Sequence, residues 1–132
     1  MARFVVGTNG VETSERLLSY LRDRVATTDE VYVVNSQKGG DDTSGDDVRE
    51  GTEALGPFEE GLDCSVATHQ FVRGNSPAED LLAAAEEYDA DELVIGVRKR
   101  NPTGKIIFGS TAQDLLLSTE RPVVAVPLTD GR

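Results

Sequence analysis

The last quarter of the chain, ELVIGVRKRNPTGKIIFGSTAQDLLLSTERPVVAVP, sets an apolar strand, a glycine-containing loop, a helical stretch and a second apolar strand in succession. Strand, helix and strand in that order build a parallel sheet, because parallel neighbours need a crossover long enough to hold a helix. The connection leaves Val94-Ile95 at Gly96, passes Gly104 and reaches Gly109-Ser110-Thr111 where the helical pattern begins. Glycines let backbone N–H groups approach a ligand closely, and a helix start adds unpaired N–H donors with partial positive charge. The arrangement suits a bound phosphate.

The same loop is the most basic part of an acidic protein. Arg98, Lys99, Arg100 and Lys105 fall close together, although the chain as a whole carries a formal charge of -11. An anion approaching such a protein needs a local well in the potential, and this loop supplies one. The 24 acidic residues stand against 13 cations, and the acids are spread over loops and helix faces rather than gathered in a tail. Strong self-repulsion of this kind is relieved by salt. The composition therefore fits a cytosol with high salt, as in a halophilic archaeon.

A length of 132 residues fits one domain, residues 1–132, and 38% apolar residues are enough to fill its core. No apolar run approaches the roughly 18 residues that a membrane span requires. The start, Met1-Ala2-Arg3, runs directly into a short apolar segment without the pattern of a secretory signal, so a cytoplasmic location is expected. Cys64 and His69 are single residues of their kind, too few for an internal disulfide or a thiolate–imidazole zinc site. Cys64 reads as a small apolar strand residue.

Along the chain, Arg3 to Gly7 reads as a buried strand that breaks at Thr8-Asn9-Gly10. A helix follows with Leu17, Leu18, Leu21 and Val25 on one face, capped by Thr13 or Ser14. Glu30 to Asn35 is a second strand whose nearly continuous apolar character fits a sheet covered on both faces. Residues 37–45 read as a loop. Residues 46–55 form a short helix that ends near Gly56-Pro57 or resumes to Glu60. Cys64 to Arg73 is a third strand whose polar residues place it at a sheet edge. Ser76, Pro77 and Glu79 mark the start of a helix that runs to about Tyr88, with Ser76 as cap and Glu79 completing a capping box. Leu93 to Ile95 is the fourth strand, residues 110–118 the last helix and Pro122 to Pro127 the fifth strand.

This alternation specifies an α/β domain, a single open five-stranded parallel sheet with helices on both faces and right-handed crossovers. Ligands of such sheets bind beyond the carboxyl ends of the strands, at the point where strand order reverses. The loops after strand one, at Thr8-Asn9-Gly10, and after strand four, from Gly96 to Gly109, leave such ends and are expected to flank one crevice. A P-loop is excluded because no GxxxxGK[ST] string occurs, and no GxGxxG follows the first strand. A response-regulator receiver would need acidic residues where Thr8-Asn9 and Gly74-Asn75 stand.

The glycine spacing resembles that of the universal stress proteins: a Gly, two residues, a second Gly, nine residues, then Gly-Ser or Gly-Thr. Here Gly96, Val97-Arg98, Lys99, the nine residues 100–108 and Gly109-Ser110 follow it. The segments SERLL, Gly74-Asn75-Ser76-Pro77, DELVIG and RPVVAVP extend the resemblance over nearly the whole chain. It implies a Rossmann-like sheet of the adenine nucleotide alpha hydrolase type, with strand order 3-2-1-4-5.

For the site, the resemblance implies an adenine nucleotide, ATP or AMP, with Mg2+ accompanying ATP. Val34 would lie near the adenine together with Thr8 and Asn9, and Gly96 under the ribose. Gly109, Ser110 and Thr111 would meet the phosphates, beside Arg98 and Lys99. Two departures bear on this. Asn9 stands where the family's ATP-binding members carry an aspartate that faces the adenine, which changes the donor pattern. Lys99 stands for the second glycine, where its side chain either crowds a phosphate or contacts it.

Two functions follow: a non-catalytic nucleotide-binding stress protein, or a dimeric interaction module that keeps the fold without the ligand. No base–nucleophile spacing marks an enzyme, and Ser110 or Thr111 would at most accept a phosphoryl group. The resemblance also implies a homodimer closed through the last strand, Val123-Val124-Ala125-Val126, which would otherwise leave an apolar sheet edge in solvent.

Overall fold

In a computed structural model, which describes residues 1–98 and 109–128, the strands form one five-stranded parallel sheet. They are β1 (Arg3–Gly7), β2 (Glu30–Gln37), β3 (Ser65–Val72), β4 (Glu92–Arg98) and β5 (Val123–Leu128), in the order β3-β2-β1-β4-β5. The central strand β1 sits between β2 and β4, with Val6 level with Val33 on one side and Val94 on the other. The chain therefore winds outward one way through β2 and β3, then returns past β1 to lay down β4 and β5. The expected fold class and strand order are those found.

The helices are α1 (Val11–Arg22), α2 (Gly45–Glu53), α3 (Gly56–Gly61), α4 (Pro77–Tyr88) and α5 (Ser110–Ser118). Strand side chains alternate between two faces, so β1 sends Phe4 and Val6 one way and Val5 the other. Phe4 and Val6 join Leu17 and Leu21 of α1 and Phe58 of α3 in one core layer. Val5 joins Ala78, Leu81 and Ala85 of α4 and Ala112 and Leu115 of α5 in the other. Both faces are covered, which is why β2 and β4 carry such uninterrupted apolar runs. Among the described residues no helix is long and apolar enough to cross a membrane.

The start of α4 is as read. Ser76 Oγ accepts from the Glu79 N–H at 3.2 Å, and Glu79 Oε1 accepts from the Ser76 N–H at 2.8 Å. The start of α1 differs. Gly10 is its N-cap, and Thr13 and Ser14 lie inside the first turns, both buried. Their hydroxyls are spent elsewhere: Thr13 donates to Asn9 Oδ1 at 2.8 Å, and Ser14 to the Ala54 carbonyl at 2.6 Å. Gly96 differs too, because β4 does not end at Ile95. It continues through Arg98, with Gly96 level with Val126 of β5 and Arg98 level with Leu128. In the segment read as a loop, β2 extends to Gln37, and a single 3-10 turn spans Gly40–Asp42 before α2. Cys64 lies just before β3, half-buried against the first core layer. Burial, and then the charges of Asp29 and Asp63, push its thiol up and away from reactive thiolate character.

Candidate functional site

The carboxyl ends of β2, β1, β4 and β5 open into a cleft of about 330 Å³, roofed by the first turns of α4 and α5. Of the residues singled out in the sequence, Thr8, Asn9, Val34 and Gly96 line it, as do Arg98, Gly109, Ser110 and Thr111. Lys99 lies outside the described residues. The wall also includes Ser36, Pro77, Leu81 and Leu128, which the sequence reading did not assign to the site. Pro77 and Leu81 had a local signal, the α4 start; what was missing was that a helix following β3 begins at the same carboxyl edge as the two loops.

Sheet order gives the cleft two ends. Val34 and Ser36 belong to β2, and Gly96 and Arg98 to β4. With β1 between them, the two strands stand about 10 Å apart. The β2 end is walled by Val34, Pro77 and Leu81 and is largely apolar; the β4 end meets the amino terminus of α5.

At that terminus Gly109 is the N-cap and Ser110 the first helical residue, with no side-chain cap hydrogen bond among the described residues. An α-helix cannot satisfy its first N–H groups internally, so Ser110, Thr111 and Ala112 bring donors and partial positive charge to the cleft. The two glycines there have different reasons to be glycine. A Cβ on Gly96 would land 2.8 Å from a Leu128 methyl, so its absence is a matter of packing between β4 and β5. A Cβ on Gly109 would meet nothing within 4 Å among the described residues, and the backbone there, φ -70°, suits any residue. Nothing in the described fold requires a glycine at 109; close approach of a ligand to its backbone would.

Between the two ends, Thr8 is fixed from several directions. Its N–H donates to the Val34 carbonyl at 3.0 Å, and its carbonyl accepts from Asn35 Nδ2 at 2.9 Å. Its hydroxyl lies 2.6 Å from Ser14 Oγ and 3.1 Å from the Gly10 carbonyl, turned into the protein. Thr8 thus shapes the cleft through its backbone. Asn9 is exposed, and its Oδ1 accepts from Thr13, which leaves its two amide N–H donors and one lone pair of Oδ1 to offer. A carboxylate at this position would offer only acceptors.

Behind the β2 end lies a buried charge. Asp80 is fully enclosed, and its carboxylate accepts from Ser36 Oγ at 2.5 Å, Arg73 Nε at 2.8 Å and Asn75 Nδ2 at 3.1 Å. Burial alone would push this carboxyl up; the hydrogen bonds from Ser36, Asn75 and Arg73, with the arginine's charge, outweigh it and hold the group below its ordinary value.

A doubly wound α/β domain with its cleft at the switch point defines the broad class of this protein. The universal stress protein family model matches residues 1–127, and the chain belongs to that family. A universal stress protein from Archaeoglobus fulgidus is 35% identical, superposes with a TM-score of 0.74, and is covered over 98% of its length by 96% of this chain. A universal stress protein from the same organism, solved in complex with dAMP, is 29% identical with a TM-score of 0.67 and the same coverage. A universal stress protein of Mycolicibacterium smegmatis is 53% identical over 53 residues. That match spans 40% of this chain and 41% of the relative's length.

Proposed function

We propose that the cleft binds an adenine nucleotide, ATP or AMP, and that the protein acts without catalysis, through the bound state, in a stress response. The observation that carries this is the meeting, in one cleft, of an apolar end at Val34, Pro77 and Leu81 with the helix start at Gly109–Thr111. An apolar slot suits a planar base, and helix N–H groups suit a phosphate. The dAMP complex of the 29% identical relative supports the same choice of ligand. With ATP, Mg2+ would accompany the phosphates, beside Arg98 and the basic residues that follow it. Asn9 would offer a donor to the base where an aspartate would offer an acceptor.

The protein is read as a single cytoplasmic domain in a high-salt organism, paired through β5 as a homodimer. The charge of -11 supports the first, and the place of β5 as the outer strand among the described residues supports the second. Titration calorimetry with AMP and with ATP plus Mg2+ at high KCl tests the central reading, with saturable heat expected for at least one nucleotide. No heat with either would leave the dimeric interaction module as the better account.

A further inference from the structure

Ser36 lines the β2 end of the cleft while the only proton of its hydroxyl is committed to a buried carboxylate. Asp80 is fully enclosed and accepts from two further donors, Arg73 and Asn75, so it remains an anion and Ser36 has to be the donor of the 2.5 Å bond. A serine hydroxyl has one hydrogen and two lone pairs. With the hydrogen directed at Asp80, only lone pairs remain for a ligand.

We infer that Ser36, positioned by Asp80, makes the β2 end of the cleft selective for a base whose 6-substituent is an N–H donor, hence for a 6-amino purine over a 6-oxo purine. The inference rests on the nucleotide reading above and adds the residue that sets base preference. A 6-amino group can donate to Ser36 Oγ. A 6-oxo group would bring a second acceptor against it, and relief would require Ser36 to give up a short charge-assisted bond. Discrimination of this kind arises because a buried polar group is left unpaired with the wrong ligand. Asp80 touches no ligand here; it acts by fixing which way the Ser36 proton points.

The test compares AMP with inosine monophosphate, which differs at the base edge and keeps the ribose and phosphate. In calorimetry at high KCl, wild type should bind AMP about tenfold more tightly than inosine monophosphate, the scale of one hydrogen bond gained against one acceptor left unpaired. Ser36→Ala should bring the two affinities to within about twofold, chiefly by weakening AMP. Asp80→Asn, checked for folding by its melting curve, should narrow the same ratio, because an amide can donate to Ser36 and free its proton to face the cleft. A merely structural role for Asp80 would weaken both ligands alike. An unchanged ratio in Ser36→Ala, or an equal loss for both nucleotides, overturns the inference while leaving nucleotide binding intact. Failure of wild type to bind either nucleotide overturns both.

Discussion

Asn35 and Gly51 fit together as a side chain and the space made for it: a Cβ on Gly51 would fall 2.5 Å from Gln70 Nε2 and closer still to Asn35 Oδ1. Asn35 is buried, donates to the Thr8 carbonyl, and accepts from Gln70 at 3.0 Å and Gln37 at 3.2 Å. Gln70 in turn donates to the Val48 carbonyl of α2 at 2.9 Å. This amide cluster links the edge strand, α2 and the first loop of the cleft. Among the described residues no buried side-chain nitrogen or oxygen is left without a partner.

Gly51→Ala should therefore cost about 1–3 kcal/mol, the usual range for overpacking a filled site. Gly45→Ala, in the first turn of the same helix, meets nothing within 4 Å and should be neutral or slightly stabilising. Urea unfolding of both variants checks the pair. Equal effects would mean that helix propensity, and not the amide cluster, governs α2.

The buried carboxylate of Asp80 predicts an acid limb. Its carboxyl is lowered from an ordinary value of 3.8, so the stability it contributes is present above that value and is lost as pH falls through the lower folded one. Asp80→Asn should cost roughly 2–4 kcal/mol near neutral pH by breaking a buried charge-assisted network. The gap between wild type and variant should close as pH drops below 3.8. Comparison with the variant cancels the opposite trend, in which protonating other acids relieves repulsion. A gap that stays constant down to pH 2 would contradict this assignment.

The charge of -11 predicts a melting temperature that rises with KCl. Repulsion among exposed acids weakens as the Debye length shrinks from about 10 Å at 0.1 M to about 3 Å at 1 M. A flat or falling melting temperature over that range would count against salt adaptation.

At the sheet's edge, β5 pairs with β4 alone among the described strands, and Ala125 and Pro127 are exposed along it. Pro127 has no N–H for a further ladder, which confines edge pairing to the Val123–Val126 stretch. On the neighbouring α5, Leu117 is 78% exposed. Light scattering at high KCl and micromolar protein should report a dimer; a mass of monomer alone would refute pairing through β5.

How much of this was readable beforehand depended on how local each signal is. Ser76, Pro77 and Glu79 fixed the start of α4 because a capping box is made within four residues. The bounds of α5 were likewise readable. Thr13 and Ser14 misled because residues that favour caps were available one turn too late. Ser14's partner is Ala54, and no local pattern announces a bond across that separation. Asp80 carried no signal of its own in the sequence; its partners Ser36 and Arg73 are brought in by β2 and the end of β3. Gly96 marked the right strand, yet β4 continues beyond it because Val97 and Arg98 still find partners in Pro127 and Leu128.

Gly109 offers the cleanest test of the phosphate end. Its Cβ position is open among the described residues and its backbone conformation ordinary, so Gly109→Val should fold with nearly unchanged stability. The added side chain stands at the N-cap of α5, where it should block approach to the Ser110 and Thr111 N–H groups and abolish nucleotide binding. At Lys99 the two possibilities have opposite signs: Lys99→Gly should weaken binding modestly if the ammonium contacts a phosphate, and strengthen it if the side chain obstructs. Calorimetry on the three proteins at high KCl separates these cases. Full affinity in Gly109→Val would remove the helix start from the site, whatever Lys99→Gly shows.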